Sequence, residues 1–303
     1  VKQMLKDLAN LSQQFEVNIA TDNRTVLVEE EELKGLPENF IKNLKKDGQL
    51  FVLGMDTPTY TAVMEDCAVA TTRKKMSKAY SNRAYPANVQ VLQDVLNKRD
   101  KLAKDIGYSS YAHAALDKLM AGNPEVAYKF LHELFEKAEP KAQKEFKEWV
   151  QELPESVVLT DDGKLHPWDM AYLKAQYKKK HLVDENELKQ YFPMENTVKQ
   201  LLSIYEKFFN LEFKFSDTKD LWHQDIQLIE VLQDGKTLGY ILLDLYPRDN
   251  KYTHACHCTV IHSVKRHGMD SPALSVLIAN FPKSTEDEPS LLKFWDVRTF
   301  FHE

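Results

Sequence analysis

Glycine is rare for a chain of this length: nine in 303 residues, about 3% where roughly 7% is usual. Few positions can take a positive φ cheaply, which disfavours a fold of many tight hairpins and favours long helices. Cysteine is as sparse, with Cys67, Cys256 and Cys258 only. Three thiols make no disulfide framework, so a reducing compartment is expected, with the cytoplasm as the default. No apolar run approaches the ~18 residues a bilayer span needs. The opening residues 1–7 lack the apolar centre of a signal peptide, so no membrane partner is expected. Basic excess is missing too: 40 Lys and Arg stand against 46 Asp and Glu, for a net charge of -6. The lysines are interleaved with acids, so no concentrated basic face for nucleic acid is expected. Neither a glycine-rich phosphate loop nor a G-x-S-x-G elbow occurs, which removes nucleotide-binding and serine-hydrolase readings.

What remains is a globular composition, 43% hydrophobic and 28% charged, patterned mostly for helix. Met4, Leu5, Leu8, Leu11, Phe15 and Ile19 recur at helical spacing. The glutamates at 29–32, closed by Gly35 and Pro37, read as a short acidic helix with a solvated face. Residues 49–53 suggest a strand. From Pro58 to about Val150 helix follows helix, with breaks near Ala68, Tyr85-Pro86, Gly107-Tyr108 and Gly122-Asn123-Pro124. Arg73-Lys74-Lys75 reads as a surface patch. After Pro154 the pattern changes, and strands are expected at 227–233, 237–245, 253–261 and 273–279. Asp234-Gly235 marks a hairpin between the first two. The expected organisation is a helical region over 1–154, then helices with a small sheet over 155–303. The fold class is mainly α with a small antiparallel or mixed sheet.

Phe300-Phe301-His302-Glu303 ends the chain, and His-Glu on an apolar helix is how H-E-x-x-H begins. In that signature the first His binds zinc and the Glu acts as general base. The second His would fall one helical turn beyond His302, so the chain is expected to be a piece cut inside its motif. Val1 is no initiator Met, so its front is expected to be trimmed too.

A colinear succession of short strings accompanies that ending. It includes Leu102-Ala103-Lys104-Asp105-Ile106-Gly107-Tyr108, Pro167-Trp168-Asp169, Tyr191-Phe192-Pro193 and Trp222-His223-Gln224-Asp225. It continues with Leu243-Asp244-Leu245-Tyr246-Pro247-Arg248, Lys251-Tyr252-Thr253-His254-Ala255, Ala279-Asn280-Phe281-Pro282-Lys283 and Pro289-Ser290-Leu291-Leu292. In order and spacing the chain resembles the thimet oligopeptidase family of zinc peptidases, which includes neurolysin and oligopeptidase A. The resemblance implies a two-lobed, mostly helical body, here incomplete, with a channel between the lobes and short peptides as substrates. It implies one zinc ion held by His302, a second His and a later Glu, with Glu303 as general base. The chain contains neither of the last two ligands, so alone it is expected to be inactive and metal-free. The missing C-terminal part of the same protein is the expected partner. Tyr252-Thr253-His254-Ala255 resembles the endopeptidase branch more than the bacterial one. A dipeptidyl carboxypeptidase of the same family and an inactive peptide-binding module are the alternatives.

His254, Cys256, His257 and Cys258, with His262 and His267 nearby, could suggest a second metal site. Alternation along a strand sends His254, Cys256 and Cys258 to one face and His257 to the other. The resemblance makes this segment an edge strand beside the channel, where an extended peptide can add by backbone pairing. His254, Ala255 and Cys256 are therefore the expected substrate-binding residues. Arg298, where the family usually has Glu, is read as solvent-facing, and Trp168-Asp169 as a helix cap.

Overall fold

Helix predominates, as the shortage of glycine implies. The computed structural model describes residues 1–181, 184–216, 220–266, 269–284 and 289–302. In chain order the helices are α1 (Lys2–Ala20), α2 (Glu38–Lys42), α3 (Thr57–Asp66), α4 (Ala70–Ser81), α5 (Ala87–Asp105), α6 (Tyr111–Leu116), α7 (Pro124–Trp149), α8 (Met170–His181), α9 (Glu185–Leu188), α10 (Met194–Phe209) and α11 (Phe294–His302). The strands are β1 (Val26–Val28), β2 (Lys45–Asp47), β3 (Leu50–Leu53), β4 (Glu212–Ser216), β5 (Gln227–Gln233), β6 (Lys236–Asp244), β7 (Cys256–Ile261), β8 (Val264–Arg266), β9 (Met269–Ser271) and β10 (Ala273–Ile278). The class is thus α+β. Two compact units divide the chain: Val1–Met55 with Val63–Lys174, and Asp56–Ala62 with Ala175–Glu303.

In the first unit α1 lies against α5, Leu8 packing on Val95 and Leu102 with Met4 and Leu11 at the margin. The acidic run folds as a short 3-10 helix, Glu30–Leu33, whose last residue is buried while the glutamates face water. Gly35 follows at φ +95°, where an added Cβ would lie 2.6 Å from the Asp66 carbonyl oxygen, so only glycine fits. β1 and β2 flank β3 in an antiparallel sheet of order β1-β3-β2. α7 begins with Asn123 accepting the Val126 N–H (2.9 Å) and Pro124 in the first turn. None of its 26 residues is buried, and Phe130, Leu131, Leu134 and Phe135 are each more than half exposed.

The Arg73-Lys74-Lys75 turn on α4 corrects a sequence reading. Arg73 has no exposed surface at all. Its guanidinium donates through Nη2 (2.6 Å) and Nε (3.1 Å) to Asp169 Oδ1 and through Nη1 to the Cys67 carbonyl (2.7 Å). It also lies 4.1 Å from the Tyr172 ring centroid. Lys74 sits over Trp168, and Lys75 pairs with Glu32 at 2.6 Å. The carboxylate of Asp169, expected to cap a helix, instead neutralises Arg73. A buried guanidinium needs such a counter-charge, because unpaired burial would cost several kcal/mol.

The second unit is built on a five-stranded sheet of order β4-β5-β6-β10-β7. β6 and β10 run parallel and the other pairs antiparallel. Asp234 (φ +51°) and Gly235 (φ +74°) make the two-residue turn between β5 and β6, both in the positive-φ region that such a turn requires. On one face Ile229, Leu243 and Leu277 pack under Met194, Val198 and Leu201 of α10 and Phe300 of α11. On the other, Leu242 and Val276 meet Ile226.

Candidate functional site

α11 carries the motif. Its first turn is fixed by the Asp296 carboxylate accepting the Lys293 backbone N–H at 3.0 Å, one half of a capping box. Phe300 is buried, edge-on to Phe281 with centroids 5.9 Å apart, and Val297 packs beside it. At ~100° per residue His302 falls ~200° around the helix from Phe300. The imidazole therefore belongs to the outward face and is exposed. Arg298 shares that face and lies 5.0 Å from the Trp295 ring centroid, itself 65% exposed. Arg298 is solvent-facing, as its residue type suggests. Glu303 lies outside the described residues.

β7 is an end strand of the sheet, paired to β10 on one side. Residues 257–261 are exposed. The strand starts at Cys256, three residues later than alternation suggested, so His254 and Ala255 precede it. The backbone carbonyls just upstream are occupied by side chains. Asn280 Nδ2 donates to Tyr252 O (2.9 Å) and, at 3.5 Å, to His254 O, while Thr57 Oγ1 donates to Thr253 O (2.6 Å). One lone pair of each of these carbonyls is thus already engaged. Cys256 pairs with Ile278 and Cys258 with Val276, which puts both sulfurs on the face away from Phe300. His257 faces the other way, opposite Leu277. His267 lies outside the described residues. Among the described residues no group of three or more His, Cys, Asp and Glu is close enough to hold a metal ion.

The loop between β6 and β7 is held by a charged cluster. Asp244 is 4% exposed. It accepts both guanidinium nitrogens of Arg248 (2.6 and 2.8 Å) and the Trp222 indole N–H (3.1 Å). Lys251, also buried, pairs with the same carboxylate at 2.9 Å. Its ammonium donates to the carbonyls of Asp244 (2.9 Å), Tyr246 (2.6 Å) and Ala279 (2.6 Å). Burial raises the Asp244 pKa, but the Arg248 and Lys251 hydrogen bonds outweigh it and hold the group at about 2. Burial pushes the Lys251 ammonium below its ordinary value. These bonds tie the ends of β6 and β10 to the chain that leads into β7.

Asp244→Asn keeps the shape and removes the charge. The expected loss is about 1.5–3 kcal/mol, the range for hydrogen bonds to charged groups, read as a lower denaturant midpoint. The folded carboxyl titrates below its unfolded value of 3.8. Its contribution is therefore whole above that value and disappears as pH falls through about 2. The gap between wild type and variant should close over that window, and a gap independent of pH would refute the assignment.

Beside this cluster a cavity of about 290 Å³ is lined by Met194, Glu195, Val198, Asp225 and Tyr246 among others. Lys283 reaches Asp225 at 2.5 Å. Burial, with the Asp225 and Glu195 carboxylates, pushes the Tyr246 hydroxyl above its usual pKa, keeping it a proton donor. A wider open cleft of about 1060 Å³ runs past Glu29, Glu30, Glu31 and Leu50 in the first unit, and contains none of the expected site residues.

Residues 63–303 match the profile of peptidase family M3. Saccharolysin of Saccharomyces cerevisiae is 33% identical over 323 residues, a match that takes in the whole chain and 45% of that protein. Oligopeptidase A of Escherichia coli is 30% identical over 316 residues, covering 98% of the chain and 46% of the relative. A probable thimet oligopeptidase of Arabidopsis thaliana is 29% identical over 311 residues, covering 100% and 43%. The chain spans a little under half the length of the curated relatives it matches. With the profile extending through α11 and the sheet, the chain belongs to peptidase family M3.

Proposed function

We propose that the whole protein is a zinc-dependent oligopeptidase of the cytoplasm that cleaves short peptides. In this reading His302 is the first zinc ligand and Glu303 the general base. The observation that carries it is the family match running unbroken to the chain's last two residues, with His302 on the outward face of α11. The donor chemistry fits zinc at one corner only. A catalytic zinc takes about three protein ligands, and this chain supplies one imidazole in the right helical setting. When bound, zinc lowers the pKa of a coordinated water and polarises the substrate carbonyl. Glu303 then has the task of taking a proton from water and passing it to the leaving amine. β7 supports the same reading: its open edge offers backbone groups to an extended peptide, with His254, Ala255 and Cys256 at the entry. The three cysteines all carry thiols, which suits a reducing compartment.

Elemental analysis and a quenched fluorescent peptide test the reading together. The whole protein should hold one zinc per chain and cleave the peptide. The 303-residue chain should hold no stoichiometric zinc and leave the peptide intact. One tight zinc on the isolated chain, or a whole protein that cleaves equally after complete zinc removal, would overturn it.

A further inference from the structure

The peptidase reading uses the backbone of Cys256 but not its thiol, and does not use Cys258 at all. Cys256 and Cys258 stand two residues apart on β7, on one face of an edge strand, with sulfurs 3.8 Å apart. Neither is in a disulfide; Cys258 is exposed and Cys256 half-buried. Sulfurs this close on one face can be drawn onto a single small centre by side-chain rotation, without rebuilding the strand. Among the described residues no third donor completes a metal site. The fitting ligand is therefore a centre satisfied by two sulfurs. The third cysteine differs: Cys67 is fully buried, donates to the Glu32 carbonyl at 3.4 Å, and is pushed up in pKa by burial.

We propose that Cys256 and Cys258 form a vicinal dithiol that captures trivalent organoarsenicals. With an arsonous acid, R–As(OH)₂, both S–H bonds and both As–O bonds break and two As–S bonds form. The two thiol protons leave with the two hydroxyls as two waters, and arsenic stays trivalent throughout. The product is a cyclic dithioarsenite spanning His257.

Phenylarsine oxide, which hydrates to such an acid, is the probe. Intact-mass spectrometry of the native 303-residue chain should show one adduct that survives excess monothiol and is removed by 1,2-ethanedithiol. Cys256→Ser and Cys258→Ser should each lose the monothiol-resistant adduct, with at least a tenfold weaker apparent affinity. Cys67→Ser should keep it. Peptide mapping should place both ends of the bridge between residues 256 and 258. An adduct that either single serine variant retains at full affinity would overturn the proposal, as would an adduct on wild type that monothiol strips. Unchanged circular dichroism of the serine variants ensures that loss of binding is not loss of fold. None of these readouts depends on peptide cleavage, so failure here leaves the peptidase reading standing, and the reverse.

Discussion

Truncating Arg73 or Asp169 to alanine is expected to destabilise the first unit by about 3–5 kcal/mol, the cost of leaving one partner of a buried pair uncompensated. Whole domains are stable by only about 5–15 kcal/mol, so the unit should be largely melted at modest denaturant. The magnitude follows from the environment. Both side chains are essentially inaccessible, 0% and 2% exposed, and the guanidinium is also committed to the carbonyls of Cys67 and Ser156. Removing Asp169 strands a cation among those groups, and removing Arg73 strands an anion and opens a cavity under Tyr172. The double variant Arg73→Met with Asp169→Leu should be less destabilised than either alanine variant, because it removes both charges and refills the space. Lys75→Ala, on an exposed pair of the same turn, should cost under about 1 kcal/mol. Denaturation followed by a probe in the first unit checks all four, and single variants within about 0.5 kcal/mol of wild type would refute the account.

Glu303→Gln in the whole protein is expected to lower kcat by about 10²–10⁴-fold, the usual worth of a positioned general base. Glutamine keeps the size and the neutral hydrogen bonding of a protonated carboxyl but cannot accept the proton. Zinc content should stay at one per chain, since the carboxylate serves the water rather than the ion in this motif. His302→Ala should behave differently and lose zinc along with activity. The two variants thus separate the roles by elemental analysis as well as by rate. A Glu303→Gln enzyme with more than a tenth of wild-type kcat would remove Glu303 from the chemistry.

How far the sequence led depends on how local the deciding physics was. The β5–β6 hairpin was legible because Asp234-Gly235 states its own turn geometry, and α1 because its apolar stripe repeats at helical spacing. The edge position of β7 came only through family resemblance, since nothing in residues 256–261 says which strand lies beside them. β1 and β2 escaped notice because each is three residues long, and Lys45-Lys46-Asp47 has no apolar alternation. Arg73 was misread because its partner lies 96 residues away, and a run of three basic residues looks the same whichever way one points. The Asp244 cluster was within reach, since Asp244, Arg248 and Lys251 are neighbours in sequence. What sequence could not supply was burial, which turns a surface ion pair of little value into a lock on the loop. α7 shows the opposite case, a strongly amphipathic pattern in which no residue is buried.

The strand order of the second unit also sets a schedule for its making. β7 is synthesised before β10, yet β10 is the strand it pairs with, and β10 must also slide in alongside β6. As the polypeptide emerges from the ribosome, residues 256–261 must therefore wait with both edges unsatisfied until residue 278 has appeared. A growing sheet left open in this way is vulnerable to pairing with neighbouring nascent chains, and the exposure of this strand lasts until β10 is made.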